Sequence, residues 1–165
     1  MGAKLYYPDD TLQHAGVVIG LGGLADHPFR HLPRQLPGYQ WLPFLTQDLS
    51  AVTGACMVMR REVFEAVNGF DEKNLTVAFN DIDLCLRIRE QGYRILWTPH
   101  AELYHHESIS RGADNTPTKY FRLQREIAYM QKRWQHVIKC DPYYNPNLSL
   151  DFDDYALSNQ RNQPK

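Results

Sequence analysis

The sequence predicts an α/β fold, because segments patterned as strands alternate with segments patterned as helices. Residues 13–20 and 51–59 are apolar runs of strand length, rich in small and β-branched side chains. Residues 80–92 begin with Asn, carry acidic residues in the first turn and basic residues in the last, and end in Gly. These features favour a helix over a strand. Residues 116–137 indicate a second, longer helix with Pro117 near its start.

The N-terminal part of the chain predicts a hairpin followed by a long loop. Residues 4–7 indicate a short strand that ends at the Pro-Asp-Asp turn of residues 8–10, and the strand at 13–20 can pair with it. Residues 21–45 contain repeated Gly and Pro. A loop of this length inside a compact domain is uncommon and is often functional.

The middle of the chain predicts three strands and a short helix. Residues 51–59 are almost continuously apolar, which is typical of a strand covered on both faces. Residues 61–68 indicate a short helix that is ended by a Gly. Residues 93–97 and 102–105 indicate two strands that Pro99 separates.

The C-terminal part is expected to form an extension. Pro, Asn and Asp dominate after Cys140, and such segments lose order unless they are tied down. We therefore predict a folded portion over residues 1–140 and a partly disordered extension over residues 141–165.

Composition narrows the function classes. The net charge is -1 and no dense Lys/Arg face occurs, so nucleic acid is not an expected partner. No apolar run reaches the roughly 18 residues that a membrane span needs, so we predict no transmembrane segment and a cytoplasmic chain that could lie at the inner face of the membrane. The three cysteines are far apart, which favours buried reduced thiols over a disulfide framework or a zinc site.

Asp81 and Asp83 are the first candidates for chemistry. They lie two residues apart at the start of the predicted helix, where the helix dipole and free backbone amides stabilise negative charge. An ionised carboxylate can act as a general base. The alternative is ordinary capping of the first helical turn, which by itself explains acidic residues here.

His105, His106 and Arg111 form a second group, just beyond a predicted strand. A neutral imidazole can bind a divalent metal or assist proton transfer, but neighbouring residues on a strand point to opposite faces, so at most one of the two histidines faces a given site. Arg111 could bind a phosphate with two hydrogen bonds or form a surface ion pair.

The small residues Thr53, Gly54 and Ala55 form the third group. Small side chains inside a buried strand serve packing, or they let a ligand or another backbone segment approach closely. The residues themselves favour neither alternative.

In order along the chain, these pieces resemble family 2 glycosyltransferases, and most of all bacterial enzymes of the rhamnosyltransferase type that build cell-surface polysaccharides. The resemblance covers nearly the whole chain, and its specificity comes from the ordered series of motifs. The segments that carry it are AVTGACMVMRREVF at 51–64, NGFDE at 68–72, NDIDLCLR at 80–87, GYR at 92–94, PHA at 99–101, HHES at 105–108, SRG at 110–112 and DPYYNPNL at 141–148.

The resemblance implies part of a GT-A fold, in which helices flank a mostly parallel sheet; for this chain we expect a mixed sheet with flanking helices, without the N-terminal nucleotide-binding half. It implies that Asp81 is the catalytic base, although Asn80 stands where the family has Glu. Thr53, Gly54 and Ala55 would line the sugar and acceptor pocket, with Asp83 and Arg111 at the substrate side; Asp83 could instead orient the helix or a neighbouring Arg. His105 or His106 matches the place where some members add a ligand to a divalent cation, Mn²⁺ or Mg²⁺, in the complete enzyme.

The implied function is inverting sugar transfer from a nucleotide-sugar donor to a glycan or lipid-linked acceptor. No Asp-x-Asp motif precedes the acceptor region, so we expect the nucleotide-binding half to be absent and the chain alone to be inactive. The alternatives are a non-catalytic glycan-binding module of the same origin and a homo-oligomer formed through an exposed sheet edge.

Overall fold

A mixed β-sheet forms the centre of the protein in the computed structural model, which describes residues 1–106 and 116–158. The strands are β1 (Gly2–Tyr6), β2 (Leu12–His14), β3 (Val18–Ile19), β4 (Ala25–Asp26), β5 (Gln47–Leu49) and β6 (Ile95–Tyr104). The main sheet has the order β2-β1-β6-β5, and β3 and β4 form a separate antiparallel pair. β1 runs antiparallel to β2 and parallel to β6, so the predicted N-terminal hairpin is confirmed. The predicted strand at 13–20 is divided, because β2 ends at His14 and β3 pairs with β4 instead.

Helices accompany the sheet, which confirms the α/β fold class. They are α1 (Arg61–Ala66), α2 (Asn80–Glu90), α3 (Pro117–Arg133) and α4 (Gln135–Lys139), with short 3₁₀ turns at Leu21–Gly23, Tyr39–Phe44 and Gly54–Cys56. The core lies where the apolar face of α2 meets the sheet, and Leu84, Cys85 and Trp97 are completely buried there. All three cysteines are free thiols, but only Cys85 is buried and Cys140 is exposed.

The predicted strand at residues 51–59 does not form. Ala51 makes a single bridge to Val17 and is buried, but the chain then turns through the 3₁₀ segment Gly54–Cys56. The reason is local: the hydroxyl of Thr53 accepts a hydrogen bond from the amide of Ala55 at 3.3 Å, and this offers the backbone an alternative to a strand ladder.

The two strands expected on either side of Pro99 are one continuous strand, β6. Its pairing with β5 covers residues 95–97, and its pairing with β1 shifts register between Trp97 and Glu102. Pro99 falls within this irregular part, where its missing N–H costs no ladder hydrogen bond.

The start of one predicted helix and the end of the other differ from expectation. Asn80 is the first residue of α2 and makes no capping bond; the cap is Phe79, whose φ of 62° is left-handed and whose carbonyl accepts from the amide of Asp83. The long C-terminal helix is interrupted at the buried Trp134, which separates α3 from α4.

Residues 141–158 lie against the body of the protein. The buried carboxylate of Asp141 accepts a hydrogen bond from the amide of Ile19 at 2.8 Å and one from the hydroxyl of Ser50 at 2.5 Å. Tyr155 stacks on Phe29 with 4.7 Å between ring centroids. The domain boundary at residue 140 stays a prediction, as does oligomerisation through a sheet edge.

Candidate active site

The carboxylate of Asp81 lies against the turn that begins at Thr53. Its Oδ2 accepts a hydrogen bond from the amide of Gly54 at 2.7 Å, and its Oδ1 accepts one from the amide of Ile82 at 2.9 Å. An ionised carboxylate can accept about four hydrogen bonds, and this side chain is partly exposed. Asp81 is therefore held in one orientation and still has acceptor positions for a hydroxyl group.

The absence of a side chain at Gly54 permits this contact. A Cβ atom at residue 54 would lie 3.2 Å from the Cβ atom of Asp81 and 3.5 Å from its Oδ2. Gly54 thus serves the close approach of two segments of the chain. The sequence left open whether the small residues at 53–55 serve packing or a close approach. For Gly54 the structure shows a close approach.

Glu126 of α3 holds the segment that leads into α2. Its carboxylate is buried, with Oε1 accepting from the hydroxyl of Thr76 at 2.9 Å and the amide of Val77 at 3.0 Å, and Oε2 accepting from the amide of Ala78 at 3.1 Å. Asp81 follows three residues after Ala78. The buried carboxylate therefore fixes the backbone that carries the candidate base.

Asp83 is turned into the protein. Its side chain is 1% exposed, its Oδ2 accepts from Nε of Arg87 at 2.6 Å, and its Oδ1 accepts from the indole N–H of Trp134 at 2.9 Å. These contacts join α2 to the end of α3. The substrate-binding role of Asp83 stays a prediction, and this geometry does not support it. A role in orienting α2 agrees with the geometry.

His105 is held by Gln13 on the neighbouring hairpin. Nδ1 of His105 lies 2.8 Å from the amide oxygen of Gln13, and the amide nitrogen of Gln13 donates to the carbonyl of His105 at 3.2 Å. A ring N–H at Nδ1 satisfies this pairing, and it leaves Nε2 as the acceptor nitrogen. His106 is exposed. Of the two histidines, His105 is the one that the fold orients.

A cavity of about 80 Å³ opens beside His105. It is lined by Tyr7, Gln13, His14, His27, Arg30, Thr53 and His105. Thr53 belongs to this cavity, and its neighbour Gly54 contacts Asp81. The structure therefore brings Asp81, the 53–55 turn and His105 into one region, whereas Arg111 lies outside the described residues.

His14 is the most deeply buried side chain of this cavity. Its Nε2 accepts from the amide of Thr53 at 3.4 Å, and its Nδ1 lies 2.8 Å from Nδ1 of His27. Burial above all, and then the neighbouring His27, lower the pKa of His14 well below its ordinary value of 6.5. A neutral His14 carries its proton on Nδ1 and donates it to His27.

We expect acid to destabilise the protein through His14 as the pH falls below about 6.5, the ordinary pKa of the imidazole. The unfolded chain takes up a proton near 6.5, whereas the folded protein keeps His14 neutral, so the unfolded state binds more protons. The free energy of unfolding then falls as the pH falls, by up to about 1.4 kcal/mol per pH unit. Urea unfolding at a series of pH values measures the slope.

The control for this measurement is His136, which is exposed. The His14→Gln variant should flatten the slope, and the matched His136→Gln variant should keep it. A slope that is the same in His14→Gln as in the parent chain would contradict this account of His14.

Several residues of the site were not candidates on sequence grounds. Gln13 and His14 lie in a segment patterned as an apolar strand, His27 lies in the long loop, and Glu126 lies inside a helical pattern of many charged residues. The one sequence signal for any of these residues was the long loop that contains His27, because long loops in compact domains are often functional.

The described residues do not form a complete metal site. They contain no group of three or more His, Cys, Asp or Glu side chains placed to hold a metal ion. His105 offers one imidazole nitrogen, which fits a single ligand position.

Comparison with known proteins places the chain in a family. Residues 40–130 match the family model described as glycosyltransferase like family 2. The matched region contains Asp81, Gly54, His105 and Glu126, and it extends over more than half of the chain. The chain belongs to glycosyltransferase family 2. Its mixed sheet with flanking helices agrees with a part of the GT-A fold.

Three curated relatives illustrate the relationship. An uncharacterized protein of Sinorhizobium fredii, y4gI, is 56% identical over 98% of the chain and 18% of its own length. The O-antigen biosynthesis protein RfbC of Myxococcus xanthus is 44% identical over 95% of the chain and 12% of its own length. The N-acetylglucosaminyl-diphospho-decaprenol L-rhamnosyltransferase of Mycobacterium tuberculosis is 32% identical over 48% of the chain and 25% of its own length.

The matched segments thus cover a quarter or less of the length of these relatives. No solved structure matches it. Within the described residues, no helix has both the length and the apolar character that crossing a bilayer requires.

Proposed function

We propose that this chain forms the acceptor side of an inverting glycosyltransferase and that Asp81 is the general base. The observation that carries the proposal is the contact of the Asp81 carboxylate with the amide of Gly54, at a partly exposed position beside a cavity. A base must be oriented and must keep an open acceptor position before it can remove a proton. Asp81 meets both requirements.

In the proposed reaction Asp81 takes the proton of an acceptor hydroxyl. The acceptor oxygen forms a bond to the anomeric carbon of the donor sugar while the bond from that carbon to the nucleotide diphosphate breaks. The configuration inverts because attack and departure occur on opposite faces. The amide of Gly54 stabilises the negative charge of the base beforehand and keeps its Oδ2 in place.

A divalent cation would neutralise the charge of the departing diphosphate in the complete enzyme. We propose that His105 contributes one ligand through Nε2, because Gln13 fixes the ring by its Nδ1 side. The remaining ligands would come from the donor and from other parts of the complete enzyme. His106 is the less suitable candidate because it is exposed and the structure gives its ring no hydrogen-bond partner among the described residues.

The substrates are proposed from the relatives. Their names mention O-antigen biosynthesis and rhamnosyl transfer to a diphosphate-linked N-acetylglucosamine, which supports a nucleotide-sugar donor and a glycan or lipid-linked acceptor in cell-surface polysaccharide synthesis. Transfer to a lipid-linked acceptor would take place at the inner face of the membrane. The relatives from Sinorhizobium and Myxococcus are several times longer than this chain, which supports a separate donor-binding part and an inactive isolated chain.

A non-catalytic glycan-binding module is the second candidate function. The side chain of Trp41 is 61% exposed and lies 5.8 Å from Phe44, centroid to centroid, on a turn of left-handed residues. Exposed aromatic rings of this kind offer an apolar face to a sugar ring. Under this alternative, Trp41 carries glycan binding and Asp81 contributes nothing to it.

Backbone amide NMR on the isolated chain distinguishes the two functions. We expect oligosaccharides that contain rhamnose or N-acetylglucosamine to shift the amide signals of Gly54 and Ile82, which both donate to Asp81. The amide of Gly92, at the opposite end of α2, is the internal control and should not move. Shifts confined to the segment around Trp41 would contradict the acceptor site at Asp81 and favour the binding module.

A further inference from the structure

A second pocket, away from the histidine cavity, lies between α3 and the segment that precedes α2. Its volume is about 150 Å³, which is room for several water molecules of about 30 Å³ each. Three cationic side chains line it, and we call it the basic pocket. They are Lys73, Arg122 and Arg125, and the lining is completed by Asn74, Thr76, Tyr129 and the carboxylate of Glu126.

The walls of the basic pocket are held by hydrogen bonds from two sides. Asp71 accepts from the amides of Lys73 at 3.2 Å and Asn74 at 3.0 Å, and it accepts from the hydroxyl of Tyr129 on α3 at 2.9 Å. Opposite, Glu126 binds residues 76–78 as described above. The pocket is therefore preformed, and a ligand would not have to order it.

The pocket has a surplus of positive charge. Arg122 lies 3.6 Å from Glu126, and the oxygens of Glu126 face the backbone of residues 76–78. Among the described residues, neither Nζ of Lys73 nor the guanidinium of Arg125 has an ion-pair or hydrogen-bond partner. Both are exposed at the rim. Two cations without partners beside a paired arginine suit a small, multiply charged anion, because phosphate oxygens accept charge-assisted hydrogen bonds.

The wall of the basic pocket is close to the candidate base along the chain. Glu126, which lines the pocket, binds the amide of Ala78, and Asp81 is three residues further along. Three residues span at most about 11 Å even when fully extended, so the backbone of Asp81 lies within about 11 Å of that of Ala78.

We propose that the basic pocket binds a phosphoryl or diphosphoryl group without a metal ion, with Lys73 and Arg125 as its principal ligands. Its use as an anchor for a phosphate-linked acceptor, with the sugar hydroxyl directed to Asp81, rests on the function proposed above. The anion site itself does not, because it depends only on the charges and the cavity.

The experiment is a calorimetric titration of the chain with inorganic pyrophosphate in the presence of a metal chelator. We expect saturable binding that weakens about tenfold in each of the variants Arg125→Gln and Lys73→Gln, because each removes one charge-assisted contact. Lys132→Gln is the matched control, since Lys132 is an exposed cation on the same helix and does not line the pocket. It should bind as the parent chain does.

Circular dichroism of each variant checks that the fold is kept, and the changes are at exposed positions. Absence of pyrophosphate binding to the folded parent chain would overturn the proposal. So would an equal loss of affinity in Lys132→Gln, because the binding would then reflect net charge alone.

Flotation with vesicles distinguishes the sources of the anion. Recruitment to phosphatidylcholine vesicles that contain a polyprenyl diphosphate, with less recruitment in Arg125→Gln, supports a lipid-linked diphosphate. Pyrophosphate binding without recruitment supports a soluble diphosphate. The Asp81→Asn variant should bind pyrophosphate normally in either case, so failure of the proposed base and failure of the anion site give different results.

Discussion

The Asp81→Asn variant should lose sugar transfer by about a hundredfold to ten-thousandfold, the range that a positioned general base contributes. The assay requires the chain joined to a donor-binding part, and it measures kcat for transfer of a labelled sugar. Asn keeps a side-chain oxygen that can accept from the amide of Gly54, so the fold and the donor affinity should stay close to those of the parent. The variant lacks the carboxylate that takes the proton of the acceptor hydroxyl.

The matched control for this variant is Glu62→Gln. Glu62 is also an acidic residue in the first turn of a helix, and it is exposed beside Arg60. If a negative charge in the first turn of a helix were by itself enough to explain the loss of sugar transfer, both variants would lose the same share of kcat. Transfer by Asp81→Asn within tenfold of the parent would exclude Asp81 as the base.

The Asp83→Asn variant should lower the free energy of unfolding by about 3 kcal/mol, as is usual when one partner of a buried ion pair is removed. The amide oxygen can still accept from Trp134, but Arg87 loses its carboxylate. Arg87 is only 18% exposed, so its charge stays largely buried without a counter-charge, and its remaining hydrogen bond is from Nη1 to the carbonyl of Val67. Typical domains have about 5–15 kcal/mol of stability in total, and urea unfolding at neutral pH measures the loss.

Glu65→Gln is the control for the second prediction. Glu65 pairs with Arg61 at the same i,i+4 spacing, with Nε to Oε1 at 2.7 Å, but both side chains are exposed. An exposed pair of this kind contributes little, so the variant should stay within about 0.5 kcal/mol of the parent. Equal losses in the two variants would show that burial does not govern the Asp83–Arg87 pair.

The helix that carries Asp81 was predictable, but its surroundings were not. A terminal Gly and charges of opposite sign at the two ends are local signals of a helix, and α2 formed where they indicated. The contact of Asp81 with Gly54 joins residues 27 positions apart. No local pattern specifies such a pairing, and only the ordered resemblance to a family suggested that the two segments share a site.

The two wrong strand predictions have different physical causes, one local and one in the pairing of strands. Residues 51–59 have the composition of a buried strand, but the hydroxyl of Thr53 stabilises a turn, and the segment faces Asp81. Pro99 indicated a break, but β6 continues because its partners leave that position unpaired. Glu126 was not a candidate at all, because the fold brings it to Thr76, which lies 50 positions away in the sequence.

Calorimetric titration of the purified chain tests the division between acceptor side and donor side most directly. The ligands are a panel of nucleotide-sugars, each with and without Mn²⁺, and a parallel panel of acceptor-type glycans. We predict that a glycan binds and that no nucleotide-sugar binds in a metal-dependent manner, because the proposed function assigns the donor site to other parts of the complete enzyme. Clear Mn²⁺-dependent binding of a nucleotide-sugar would contradict it, since the donor site would then lie within this chain.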